Sequence, residues 1–169
     1  MPLTNKVGFI ASGLAALALV ASPAMPTSIA DYVGSKNAYG QGTARVDYHA
    51  ITENGKTKIR DGQYKLAITE MTPFQSDVEN KNASFFNTLG FAYRKTGDYD
   101  KAMALFEKSR QLGPNLWASY DNMAFIQVKR KQYSEALSNY KKAQELNPSP
   151  DYAKKVSIWI ERLEKLIKN

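Results

Sequence analysis

Two phenylalanines, Phe91 and Phe125, stand 34 residues apart, and each is followed about one helical turn later by a base: Arg94 and Lys95 after the first, Lys129 after the second. On a helix, residues 87, 91 and 94/95 share a face, as do 121, 125 and 128/129. That adds Asn87 to the first set and Asp121 to the second, with Asn122 beside it. Side chains of these types hold apolar groups and anions. Bond-making chemistry has little to work with. His49 is the only histidine and there is no cysteine, which excludes a thiol nucleophile, a disulfide, a thiolate metal site and a typical zinc site. No Gly-rich phosphate loop, G-x-S-x-G turn or H-E-x-x-H helix occurs. Asp98 and Asp100 fall near an expected helix start, where carboxylates complement the macrodipole and need no catalytic role. Asn82-Ala83-Ser84 has the glycosylation acceptor spacing, which matters only in a eukaryotic secretory route. The expectation is no enzyme, no cofactor and no metal.

Helices must position these residues. The apolar spacing predicts four of them, over 83–96, 99–112, 116–130 and 133–146. Asn82 and Asn115 are placed to cap the first and third. Gly97 is placed to end the first, since glycine enters the left-handed region without steric cost. Gly113-Pro114-Asn115 and Asn147-Pro148-Ser149-Pro150 break the chain between units. A last helix over 151–168 starts with Ser149 as cap and Pro150 in its first turn. Tyr152, Val156, Trp159, Leu163 and Leu166 form one apolar stripe on it, and its other faces are charged.

The helices repeat. Phe86-x2-Leu89-Gly90-x2-Tyr93, Ala102-x3-Phe106 and Pro114 return 34 residues later as Tyr120-x2-Met123-Ala124-x2-Gln127, Ala136-x3-Tyr140 and Pro148. Tyr99 pairs with Tyr133 and Leu112 with Leu146 at the same spacing. This pattern resembles the tetratricopeptide repeat (TPR) family. The resemblance implies an all-α helix-turn-helix solenoid with two clear repeats, 83–116 and 117–150. Gly62-x-Tyr64-x2-Ala67-x3-Met71 matches the second half of a repeat, so a degenerate unit with one good helix is expected over 48–81. In that register Gly55 takes the small-residue position of the first helix, which itself reads poorly because Glu53-Asn54-Gly55-Lys56-Thr57 does not favour one. The helix at 151–168 matches the capping helix that covers the last repeat's apolar face.

The resemblance also sorts the residues. Gly90, Ala124, Ala102 and Ala136 lie where helix backbones meet, with Leu89, Tyr93, Phe106, Met123 and Tyr140 filling the space around them. The first helices of TPR pairs line a concave groove. Groove positions carry over to Asn87, Phe91, Arg94 and Lys95 in one repeat and to Asp121, Asn122, Phe125 and Lys129 in the next. Two aromatics rimmed by bases suit a peptide with an apolar anchor and acidic neighbours. The alternative is that both rings pack under the chain's own N-terminal helix or linker. One TPR subclass grips a C-terminal carboxylate with Lys and Asn. Asn122 matches one member of that set, but Phe91 stands where the subclass has Asn and Asn87 where it has Lys, so that clamp is not expected.

Charge and the N-terminus complete the reading. Net charge is +7, and residues 83–169 hold 15 basic against 9 acidic residues, whereas 25–82 balance. A basic surface concentrates anionic partners. Lys129-Arg130-Lys131 is a basic run, read as a solvated turn or as a contact for an anionic surface or glycan. Lys6 precedes an uncharged run from Val7 to Ala21, which reads as a secretory signal peptide within 1–24, cleaved after Ala24 or Ala30. An uncleaved membrane anchor is the alternative, disfavoured because the run is shorter than the roughly 20 residues that span a bilayer. Export to a periplasm follows, with membrane contact peripheral at most and no nucleic acid. Residues 25–57 read as a flexible linker, with a weak hairpin around Asn54-Gly55 as the alternative, leaving 58–168 as the TPR domain. The expected function is a non-enzymatic scaffold or adaptor in the cell envelope. Its partner is a protein or peptide, acidic in the reading above, and the runner-up is a module that binds an anionic surface or glycan. Two clear repeats fall below the usual minimum of three, so further cover must come from the flanking units or from a second copy in a homodimer.

Overall fold

A computed structural model describes residues 46–77 and 80–168. The apolar run at 7–21, both cleavage points and the linker up to residue 45 lie outside the described residues. Seven α-helices are present among them: α1 Tyr48–Arg60, α2 Tyr64–Met71, α3 Ala83–Thr96, α4 Tyr99–Leu112, α5 Trp117–Lys129, α6 Tyr133–Leu146 and α7 Pro150–Lys168. A 3-10 turn, Thr72–Phe74, follows α2. The first six helices pair as α1/α2, α3/α4 and α5/α6, and α7 packs on α6. The fold is the expected all-α helix-turn-helix solenoid. No helix among the described residues is long and apolar enough to cross a membrane.

One sequence expectation fails here. Residues 48–57 form helix, neither linker nor hairpin, so the solenoid begins ten residues before 58. Local propensity is overridden by packing. Asp47 caps α1 by accepting the Ala50 N–H at 2.9 Å, and Ile51 is buried with Met71, Phe85 and Leu89 in one core cluster. Gly55, which argued against a helix, is the close-approach point of the pair. A Cβ there would collide with Met71 Sδ and lie 3.3 Å from its Cε. Gly90 serves α3 in the same way, since its Cβ would stand 2.8 Å from Phe106 Cε1.

The local signals explain the remaining boundaries with one exception. Asn82 Oδ1 accepts the Phe85 N–H at 3.1 Å and starts α3. Gly97 ends α3 at φ 89°. The Ser149 hydroxyl accepts the Tyr152 N–H at 3.5 Å at the head of α7. Asn115, however, caps nothing. The Leu116 N–H bonds the Gly113 carbonyl at 3.0 Å, and this turn makes Leu116 the residue that precedes α5, with no side-chain cap.

Three core clusters sit along the seams between units. Ile51, Met71, Phe74, Phe85, Phe86, Leu89 and Leu105 join the first pair to the second. Ala102, Phe106, Met123 and Ile126 join the second to the third. Ala124, Ala136, Tyr140, Val156 and Leu163 seat α7. A polar staple reinforces the middle seam: the buried Ser109 hydroxyl donates to the Ala83 carbonyl at 2.7 Å and meets the buried Ser119 hydroxyl at 2.8 Å. With its proton given to Ala83, Ser109 accepts from Ser119, so both hydroxyls are satisfied. The apolar stripe of α7 is only partly covered. Val156 and Leu163 are buried, whereas Trp159 and Leu166 are 39% and 45% exposed.

Candidate functional site

The first helices of successive units, α1, α3 and α5, stand side by side, with backbones within 8 Å between neighbours. Their shared register brings the residues read from sequence together. Arg94 reaches from α3 toward α5 and lies between two rings. Its guanidinium carbon is 4.6 Å from the Phe91 ring centre and 4.4 Å from that of Phe125. Both rings are half-buried against the middle core cluster, and each keeps a surface that borders a cleft. A desolvated cation between two aromatic faces gains about 1–2 kcal/mol from each good contact. The same burial pulls the Arg94 pKa below its ordinary value, with nearby Asp121 opposing. Its Nε is buried and has no hydrogen-bond partner, so the groove holds a cation that the chain itself leaves incompletely satisfied.

The remaining expected residues surround this centre. Lys95 Nζ lies 5.3 Å from the Tyr64 ring and 5.9 Å from that of Phe91. Lys129 Nζ lies 5.7 Å from the Phe125 ring. Asn122 and Asn87 bond each other, Nδ2 donating to Oδ1 at 3.2 Å, and so tie α5 to α3. Asp121 accepts the Tyr152 hydroxyl at 2.8 Å. Burial raises the Asp121 carboxyl above its ordinary value, against the lowering effects of that hydrogen bond and of Arg94. Burial, with the Asp121 charge, pushes the Tyr140 phenol up to about 12, and Tyr152 is raised by burial and then by its hydrogen bond to Asp121 and that carboxylate's charge. The basic run divides: Arg130 pairs with Asp100 of the preceding unit, and Lys131 holds φ 60° with an exposed side chain.

Two clefts flank the Arg94 stack on the groove side. One of about 270 Å³ lies between α1 and α3, bordered by Lys56, Ile59, Arg60, Asn87 and Phe91. The other, of about 330 Å³, is walled by Trp117, Phe125, Tyr140, Tyr152 and Trp159, with Asp121 and Lys155 among its lining. Sequence reading missed Lys56, Arg60, Tyr152, Lys155 and Trp159. The signal was available, because Trp159 and Lys155 lie 34 residues past Phe125 and Asp121. Lys56 and Arg60 lie 35 before Phe91 and Lys95, across the one-residue insertion.

Sequence models of the tetratricopeptide repeat match residues 83–116 and 118–150, the two pairs that build this stack. The chain is a tetratricopeptide repeat protein. Among similar TPR and related proteins, the photosystem I assembly protein Ycf3 of Prochlorococcus marinus is 29% identical over 118 residues, 66% of this chain and 67% of that protein. The type III secretion chaperone SycD of Yersinia enterocolitica, solved with a peptide of the translocator YopD, shares the fold at a TM-score of 0.63 and 21% identity, over 72% of this chain and 94% of that one. The first TPR domain of Spaghetti (RPAP3), solved with an HSP90 peptide, matches at 0.63 and 16% over the same shares. At these identities the structures show the solenoid fold alone.

Proposed function

We propose that this TPR protein is a non-enzymatic scaffold that holds a peptide segment of a partner protein in its concave groove. The partner segment carries one large apolar side chain and acidic neighbours. The observation that carries this reading is Arg94, half-buried between Phe91 and Phe125 and without an ion pair among the described residues. An incoming carboxylate would give that cation the partner it lacks, in a partly dry setting where charge-assisted hydrogen bonds are strong. The aromatic cleft between α5 and α7 offers the apolar anchor a seat beside it. SycD and Spaghetti, similar in fold, are each solved with a bound peptide, which supports a peptide as the kind of partner. The apolar run at 7–21 supports action outside the cytoplasm, in the cell envelope, after export.

The test is selection of peptides from a random display library on the folded domain. The expected consensus is one large apolar residue flanked by Asp or Glu, and Arg94→Met, which keeps the packing volume and removes the charge, loses those peptides. Recovery of the same consensus by Arg94→Met overturns the reading.

A further inference from the structure

The groove carries a second pattern that neither the repeat requires nor the Arg94 stack explains. Arg60, Lys95 and Lys129 occupy the same register position, the thirteenth residue of α1, α3 and α5. All three are exposed, and none joins an ion pair among the described residues. Each sits one turn beyond a groove-facing residue: Arg60 borders the same cleft as Phe91, Lys95 approaches Phe91, and Lys129 approaches Phe125. The row ends there, because the residue of α7 that lies 34 positions past Lys129 is Leu163, which is buried.

We infer that Arg60, Lys95 and Lys129 form a three-rung basic ladder that reads an extended peptide bearing Asp or Glu at every third position. The step follows from two spacings. Packed helices stand about 8–10 Å apart, and neighbours among α1, α3 and α5 do approach within 8 Å. An extended chain advances about 3.3 Å per residue, so three residues carry it from one rung to the next. Carboxylates two or four apart drift out of step by the third rung. The inference rests on the groove reading above and adds the spacing of the charges. Opposite charge fixes register and on-rate at an interface more than it adds raw affinity, so the ladder selects among peptides that the apolar anchor would otherwise treat alike.

The test uses fluorescein-labelled synthetic peptides of one composition, each with a single phenylalanine anchor and three glutamates in a serine and threonine background. In one peptide the glutamates recur at every third residue; in the other they are adjacent. Anisotropy titrations against the full chain, checked for helix content by circular dichroism, are run at low and moderate salt. With exposed ion pairs contributing about two- to fivefold each, the spaced peptide is expected to bind about tenfold more tightly than the clustered one. Lys95→Glu/Lys129→Glu is expected to abolish that preference while leaving the fold intact. Equal affinity for the two peptides, both lost on Phe125→Ala, overturns the ladder and leaves the groove reading standing. Failure of both peptides to bind, or binding indifferent to Phe125→Ala, overturns the groove reading and the ladder with it.

Discussion

Replacing Gly55 with alanine tests whether α1 is a working member of the solenoid. In an isolated or unpacked helix this change stabilises by about 1 kcal/mol, because glycine is the poorer helix former. In the packed fold the new methyl falls on Met71 Sδ, with Cε and Cγ at 3.3 and 3.4 Å. Met71 is fully buried, so its chain has no solvent-facing escape. Overpacking of this kind costs about 1–3 kcal/mol. The two terms oppose, and the net change is a destabilisation of about 0–2 kcal/mol. The sign becomes decisive in combination with Met71→Ala. That variant alone opens a cavity, at about 2–5 kcal/mol. In its background the obstruction is gone, and Gly55→Ala is expected to stabilise by about 1 kcal/mol. Urea unfolding followed by circular dichroism resolves the difference, since 1 kcal/mol moves the midpoint by about 0.5 M at ordinary m-values. The cycle is expected to show a coupling of about 1–3 kcal/mol between the two sites. Additive effects, with Gly55→Ala stabilising in both backgrounds, refute the packed α1.

Two further outcomes follow from buried polar groups. Ser109→Ala removes the donor to the Ala83 carbonyl and the acceptor of Ser119 at the middle seam, and is expected to lower stability by about 1–3 kcal/mol, read as a lowered urea midpoint. The Tyr140 phenol stands at about 12 in the fold against 10 when free, so the unfolded state ionises first. Its contribution is complete below pH 10 and is lost as pH rises toward about 12. Tyrosinate absorbance is expected to show Tyr140 and Tyr152 titrating late; Tyr140→Phe removes the Tyr140 component and leaves that of Tyr152, and the variant loses the matching fall in stability.

Most of the solenoid was legible because the repeat states each requirement twice. Small residues at 90, 102, 124 and 136 and breaks at 113–115 and 147–150 fix four helices within a residue or two. The first helix was not legible from its own sequence. Gly55 lowers local propensity for the same reason that it suits the fold; the repeat register put it at the small-residue position, and contact with Met71 shows that position to be a close approach. Asn115 misled in the opposite way, since a good cap residue was displaced by the turn at Gly113–Leu116. The site was half legible. Phe91 and Phe125 stood out by recurring where the repeat demands nothing aromatic. Their convergence on Arg94, and the contribution of Trp117 and Tyr152 to the adjoining cleft, depend on how neighbouring units pack, which spacing within one unit does not encode.

The central claim is that the concave face around Arg94 is where a partner binds. Chemical-shift mapping tests it most directly: the ¹⁵N-labelled full chain is titrated with the spaced acidic peptide, and amide and Arg side-chain resonances are followed. The account expects the largest shifts at Phe91, Arg94, Phe125 and Lys129, with the Arg94 guanidinium resonances moving most, and little change at the separate cleft bordered by Gln75, Lys101 and Lys108. Shifts concentrated at Gln75, Lys101 and Lys108, with the Arg94 guanidinium resonances unmoved at saturation, would contradict it.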